Sequence, residues 1–296
     1  MDEETSTKLG GGAFKAILTA AVIFVGLGLV LVMESGKSSE LTINFCDVGQ
    51  GDGFFVATSR GEVIVIDGGP GTKITQCMSR YMPFWDRKVE LMVVTHPQQD
   101  HMEGEIDIFK KYKVEKVLWT GAANEPTQFY SVWKKGLEKS GAAVTFARRG
   151  DLADAGEVSF EVLWPTAEEM QIFADNRGED INNTSIVARM VVKSSGACAY
   201  FTGDVPFEIL DKVLDKKCQI LKVAHHGSKT GTDKLTISEA SPEVALISVG
   251  KNNRYGHPYP AVVEMFDRAG VKVLRTDQLG DIRFVYDKNS GKFTVK

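Results

Sequence analysis

The sequence predicts an α/β domain of two β-sheets packed face to face with helices outside, preceded by one membrane-spanning helix. Three observations predict it. From residue 41 onward, short runs of β-branched and aromatic residues alternate with helical-period segments. These runs fall into two sets with surface helices between them, the pattern of stacked sheets covered by helices. Ahead of both lies an uncharged run over 16–33, AILTAAVIFVGLGLVLVM.

That run is apolar all round and just long enough to cross a bilayer. No Ala-x-Ala-like cleavage site follows it, so it reads as an uncleaved signal anchor. Lys8 and Lys15 precede it and only Lys37 follows closely, which places the amino terminus in the cytoplasm. The expected organisation is a cytoplasmic tail 1–15, a transmembrane anchor 16–33, a linker 34–40 and a domain 41–296 on the extracytoplasmic side of the cell membrane.

Within the domain, 41–49, 53–58 and 62–69 read as strands separated by glycine-containing turns. A weak helix is expected over 72–82, then a strand 89–95. A helix over 102–112 presents Ile106, Phe109 and Tyr112, and after a strand 114–121 a helix over 126–140 presents Phe129, Val132, Trp133 and Leu137 at helical spacing. Strands 144–150 and 158–165 follow. The second set opens with a hairpin, 184–192 and 197–204, turning at Ser194-Ser195-Gly196. Helices 206–217, 233–240 and 260–269 then alternate with strands 219–224, 244–250 and 271–277. A hairpin of 281–287 and 292–295 closes the chain.

Composition is that of a globular protein, 43% hydrophobic and 25% charged. Residues 37–296 keep all but two of the 35 Lys and Arg and all but four of the 39 Asp and Glu. The domain is therefore slightly acidic, which excludes a global attraction for nucleic acid and leaves any polyanion site as a local patch. Cys46, Cys77, Cys198 and Cys218 lack metal-site spacing. Cys46 and Cys198 sit in strand-like runs and read as small buried hydrophobes, with no pairing assigned.

The chemistry concentrates at strand ends. Thr95-His96-Pro97-Gln98-Gln99-Asp100-His101 follows the apolar run Leu91-Met92-Val93-Val94, and it offers imidazole, carboxylate and imidazole from a rigid point. The chain has five histidines, and the others, His225, His226 and His257, also lie in short polar Gly- or Pro-containing stretches. A histidine kept only for packing would sit inside an apolar run. Asp67-Gly68-Gly69 and Thr202-Gly203-Asp204 end two further strands, each with a carboxylate beside a glycine turn. Adjacent histidines such as His225-His226 cannot both point to one side of an extended chain.

Taken in order, Asp-Gly-Gly, His-x-x-x-Asp-His, Thr-Gly-Asp and a late histidine resemble the metallo-β-lactamase superfamily. More narrowly, DVGQGD (47–52), AHHGS (224–228), NNRYGHP (252–258) and RTDQLGDI (275–282) resemble the carboxy-terminal domain of ComEC-type competence proteins, over about residues 41–287. The resemblance implies an αββα four-layer sandwich with metal at one edge. It implies His96, Asp100, His101 and Asp204 as metal ligands, completed by His225 or His257, with His226 near the substrate. The opposite assignment of the late histidines stays open. Asp67, Asp47 and Asp52 are expected behind the ligands, the last two holding the first loop against the site.

Gln98 stands where the superfamily has His or Asp, Glu103 stands at a frequent glycine, and Asn182-Asn183-Thr184-Ser185 occupies a region where another histidine is expected. The resemblance therefore implies one firmly bound divalent ion, zinc or manganese, and a labile second one. The leading expectation is a phosphodiesterase or nuclease acting on DNA outside the membrane, with Asp100, His226 and His257 in catalysis. Ser228, Lys229, Asn253 and Arg254 would contact substrate, with Lys222 and Lys251 as flanking cations that are either phosphate contacts or solvated surface. A separate membrane channel protein is an expected partner. Two alternatives stand: a hydrolase of another ester or amide such as a lactone or lactam, and a membrane-tethered binding module with a weakened site.

Overall fold

The computed structural model describes residues 11–35, 40–124, 127–176 and 178–296, with side chains of the first helix over 14–28. It forms two compact units, Met1–Lys37 and Ser38–Lys296. The uncharged run lies in the helix Gly11–Ser35. Among the described residues no helix is long and apolar enough to cross a membrane, so the transmembrane expectation for 16–33 finds no support here. The tail 1–10 and residues 36–39 of the linker lie outside the described residues.

In the second unit an eight-stranded sheet runs in the order Lys292–Val295, Ile282–Asp287, Thr42–Phe45, Gly53–Ala57, Val63–Gly68, Leu91–Val94, Lys116–Trp119, Ala143–Phe146. A seven-stranded sheet runs Lys272–Arg275, Val244–Ile247, Ile220–Lys222, Cys198–Phe201, Val187–Val192, Val158–Trp164, Leu152–Ala155. Strand alternation sorts each apolar residue to one of two destinations. Ile64 and Ile66 enter the cluster between the sheets with Phe45, Phe160, Phe201 and Leu246. Val63 and Val65 face outward with Met78, Ile108 and Trp133 of the covering helices. On the other side Tyr200, Leu221 and Ala245 pack with Leu210, Ile237 and Phe266. Because each sheet is covered on both faces, strands such as Val63–Gly68 and Val244–Ile247 are continuous apolar runs. The four-layer expectation is met.

Three features depart from expectation. The strand Leu152–Ala155 and the helix Ala167–Asp175 have no apolar periodicity to betray them. The first is an edge strand paired only to Val158–Trp164, and the second buries none of its residues. What starts that helix is a cap, Thr166 Oγ1 accepting the Glu169 amide at 3.1 Å. The cysteines are not free hydrophobes: Cys46 is bonded to Cys77 and Cys198 to Cys218. Residues 31 and 20 positions apart become neighbours only when a helix is laid on a strand and a loop meets a strand end.

Glu105, wholly buried, lies at the start of the helix Glu105–Lys111 and accepts a hydrogen bond from Trp133 Nε1 at 2.6 Å. Burial, with Asp67 adding to it, pushes its carboxyl well above the usual range. The folded state therefore holds a proton that the unfolded chain releases, and stability declines as pH rises above about 4.5. In Glu105→Gln, which keeps the acceptor for Trp133, that decline should be shallower in denaturant unfolding measured between pH 4 and pH 8.

Candidate metal centre

The site forms where strand ends of both sheets meet. After Leu91–Val94 the chain turns through Thr95 and His96 into the single helical turn Gln99–Met102, which carries Asp100 and His101. Asp67, at the end of Val63–Gly68 with φ of 56°, reaches across to fix this turn. Its Oδ1 accepts the Thr95 amide at 2.8 Å, and its Oδ2 accepts the Thr95 hydroxyl at 2.6 Å. The same Oδ2 lies 2.8 Å from His101 Nδ1, so the ring proton is held there and Nε2 is presented to the site. Replacing Asp67 by Asn should weaken metal binding by about 10–100-fold in chelator competition, without removing any ligand atom.

Asp204, following Cys198–Phe201, is the meeting point. Its Oδ2 lies 3.3 Å from His101 Nε2 and 3.3 Å from His226 Nε2. His226 Nε2 is also 3.4 Å from Asp100 Oδ2, while its Nδ1 faces the Ser248 carbonyl at 3.0 Å. That carbonyl can only accept, so Nδ1 carries the proton and Nε2 again offers its lone pair. The histidine pair is resolved by backbone strain: His225 and His226 both adopt left-handed conformations, φ 51° and 53°. His226 is thereby buried, while His225 stays 30% exposed at the rim, its Nε2 3.9 Å from Asp204 Oδ2.

The loop 47–52 seals one wall. Asp47 lies outside the centre, capping the loop at the Gly49 amide at 3.1 Å while its own amide donates to Asp281 at 2.8 Å. Asp52 instead enters the site, wholly buried, with Oδ1 3.3 Å from His226 Nδ1. Beside it lies a residue the sequence reading placed among flanking cations. Lys222 is completely buried, and its ammonium contacts Asp52 Oδ2, Asp204 Oδ1 at 3.5 Å and the Gly203 carbonyl at 2.8 Å. The signal was a lysine inside the apolar strand Ile220–Lys222.

Electrostatics follow from this crowding. Burial pushes the Asp204 carboxyl up, but His226, His101 and Lys222 outweigh it and hold it well below the usual range. Burial also opposes charge on His101 and His226, yet Asp204 draws both well above the ordinary imidazole value. His96, buried and beside His101, is pushed down to about 3 and stays neutral. Nε2 of His96, His101 and His226 is buried without a hydrogen-bond partner in each case. For the neutral His96 such an orphan costs about 1–3 kcal/mol. Orphans converging on one carboxylate fit a divalent ion. The groups His96, His101, Asp204 and Asp100, His101, His226 each bring their donor atoms within 4.8 Å of one another.

Other expected residues fall elsewhere. His257 joins no donor group among the described residues; its ring lies 5.8 Å from that of His225, and Nδ1 is without a partner. Asn253 is consumed by its own loop, donating to the Gly250 and His257 carbonyls and accepting the Tyr255 and His257 amides. Ser228 is buried and pairs with Thr230 at 3.2 Å. Lys229 and Lys251 are exposed. Arg254 lies over the exposed Tyr255 ring at 5.1 Å, and Tyr255 stacks on His257 at 5.8 Å. Arg254, Tyr255, His257 and His225 thus form a row at the rim. Asn182, in the stretch where another histidine was expected, is buried with its Oδ1 unpartnered.

The metallo-β-lactamase-fold protein YhfI from Bacillus subtilis superposes with a TM-score of 0.53 at 11% identity, covering 80% of this chain and 96% of that one. This chain has the metallo-β-lactamase fold. A metal-dependent hydrolase of the β-lactamase superfamily superposes similarly, with a TM-score of 0.51 at 11% identity, covering 79% of this chain and 95% of the other. In sequence, this metallo-β-lactamase-fold chain is 32% identical over 281 residues to ComE operon protein 3 of Bacillus subtilis, spanning 87% of this chain and 34% of that protein. It is 27% identical over 256 residues to competence protein ComA of Neisseria gonorrhoeae, spanning 85% of this chain and 33% of that one. The chain spans about a third of the length of the curated relatives it matches. No protein-family model matches it. The converging donors fit a divalent metal.

Proposed function

We propose that this chain is a metal-dependent phosphodiesterase that acts as a nuclease on DNA outside the membrane. The observation that carries the reading is the set Asp100, His101, Asp204 and His226, two carboxylates and two imidazoles whose free atoms face one point. A mixed nitrogen and oxygen set of this kind suits zinc or manganese. Bound there, such an ion supplies a lowered pKa for water and charge neutralisation for a phosphoryl group. His96, neutral and buried, offers a further lone pair from Nε2.

The residues around the set would handle proton and substrate. Burial lowers the His225 imidazole below its ordinary value, so its Nε2 at the rim is free to accept a proton near neutral pH. Tyr255, exposed and backed by His257 with Arg254 over its face, is a stacking surface for a base and a local cation for phosphate. The name of one relative, competence protein ComA, supports a DNA context for the substrate. Two disulfides support an oxidising compartment, and hence placement outside the cytoplasm. Membrane attachment through 16–33 rests on a helix whose Phe14, Ile17, Leu18, Val22 and Phe24 are all exposed and so require an apolar cover. A separate channel protein would be the partner of such an assembly.

Bound metal per chain by elemental analysis, followed by cleavage of single- and double-stranded DNA with zinc or manganese, tests the reading. Metal bound with cleavage lost in Asp100→Ala supports it. Turnover of lactones or other esters with none of DNA would assign the chain to another hydrolytic chemistry. Absence of both metal and turnover would leave a binding module.

A further inference from the structure

A further donor group lies beside those of the metal centre: Asp52, Asp204 and His226 bring their ligand atoms within 4.8 Å of one another, all buried. By residue type alone this is a second cation site sharing Asp204 with the first. It already has a cation in it. Lys222 rises from the middle of the seven-stranded sheet, fully buried, and its ammonium contacts both carboxylates of the group. An ammonium has three N–H donors. Here they face three acceptors, the Gly203 carbonyl, Asp52 Oδ2 and Asp204 Oδ1.

We propose that Lys222 is the permanent second cation of this centre, holding the Asp52, Asp204 and His226 group so that the site takes one divalent ion and not two. The two oxygens of Asp204 divide the work. Oδ2 faces His101 and His226, where the ion belongs, and Oδ1 faces the ammonium. With Oδ1 engaged by the ammonium, Asp204 has only Oδ2 left to offer an ion. An ion entering the second group would meet the ammonium in a buried, low-dielectric space where like charges repel strongly. The backbone that carries it is fixed, because its strand pairs on both sides, with Cys198–Phe201 and Val244–Ile247, and the Thr202 hydroxyl holds the Lys222 carbonyl at 2.7 Å.

The inference rests on the metal reading above, and its test counts ions without using activity. The full chain, saturated with Zn²⁺ or Mn²⁺ and freed of loose metal by gel filtration, is analysed by native mass spectrometry beside Lys222→Met. One ion per wild-type chain and two per folded Lys222→Met chain are expected. Two ions per wild-type chain, or one in a folded Lys222→Met chain, would overturn the proposal alone. Zero ions in the wild type would overturn the metal reading and the proposal with it. Should Lys222→Met not fold, ¹⁵N-lysine NMR of the wild type decides. A slowly exchanging buried ammonium signal that persists at Zn²⁺ saturation supports the proposal, and its loss on saturation refutes it.

Discussion

Replacing Asp204 by Asn should abolish both metal retention and hydrolysis. Asp204 Oδ2 is the atom on which His101 and His226 converge, and the amide keeps its shape while removing the charge. Bound metal should fall from about one ion per chain to near none, and phosphodiester cleavage to background. Without metal the substitution should also change the pH dependence of folding. Asp204 helps draw His101 and His226 well above their ordinary value of 6.5. Protonation of those rings thus stabilises the metal-free fold fully below pH 6.5, and that stability is lost as pH rises through the raised folded values. In Asp204→Asn the decline above pH 6.5 should be shallower. Removing one partner of a buried ion pair costs about 3–5 kcal/mol, so acid-side stability should drop by roughly that amount in chelator-treated protein. A variant that keeps its metal and its pH slope would refute the central place given to Asp204.

The second large effect is expected where no charged group is touched. Gly51 has φ of 136°, and a Cβ added there would lie 2.0 Å from the Asp100 carbonyl oxygen. The adjacent Asp52 amide donates to that same oxygen at 3.0 Å, and the Gly51 carbonyl accepts from Ser248 at 2.7 Å. Gly51→Ala must therefore push the loop 47–52 away from Asp100 and draw Asp52 from its place beside Lys222. Backbone strain alone contributes about 1–3 kcal/mol. The displaced carboxylates should add a large loss of metal affinity, read by chelator competition and thermal unfolding on the same sample. Wild-type affinity with only lowered stability would show that the loop acts as packing and does not position the ligands.

Much of the site was legible because its residues are chemically expensive to place at strand ends without cause. His96, Asp100, His101 and Asp204 all fall in the donor groups, and it was the resemblance of their order to the superfamily that proposed them as ligands. The sandwich was legible for a related reason: strands buried on both faces are written as unbroken apolar runs. The late histidines were not separable on the same grounds. His225, His226 and His257 are alike as residue types, and a left-handed turn at 225–226 is what sends His226 inward while His257 stays at the rim.

The sequence by itself determined the elements that carry an apolar period, that polar chemistry gathers at their ends, and that the ligand types suit a divalent ion. Periodicity and residue chemistry are local properties, so the chain carries them openly. Tertiary structure alone decided which donors share one point, that the terminal hairpin returns to pair Ile282–Asp287 with Thr42–Phe45, and that four cysteines form two bonds. It also turned Lys222 from a flanking charge into a buried one, because a lysine's role depends on what faces it across two packed sheets. Asp52 and Asp204, 18 to 170 positions from Lys222 along the chain, become its partners only when the strand ends of both sheets are brought to one edge.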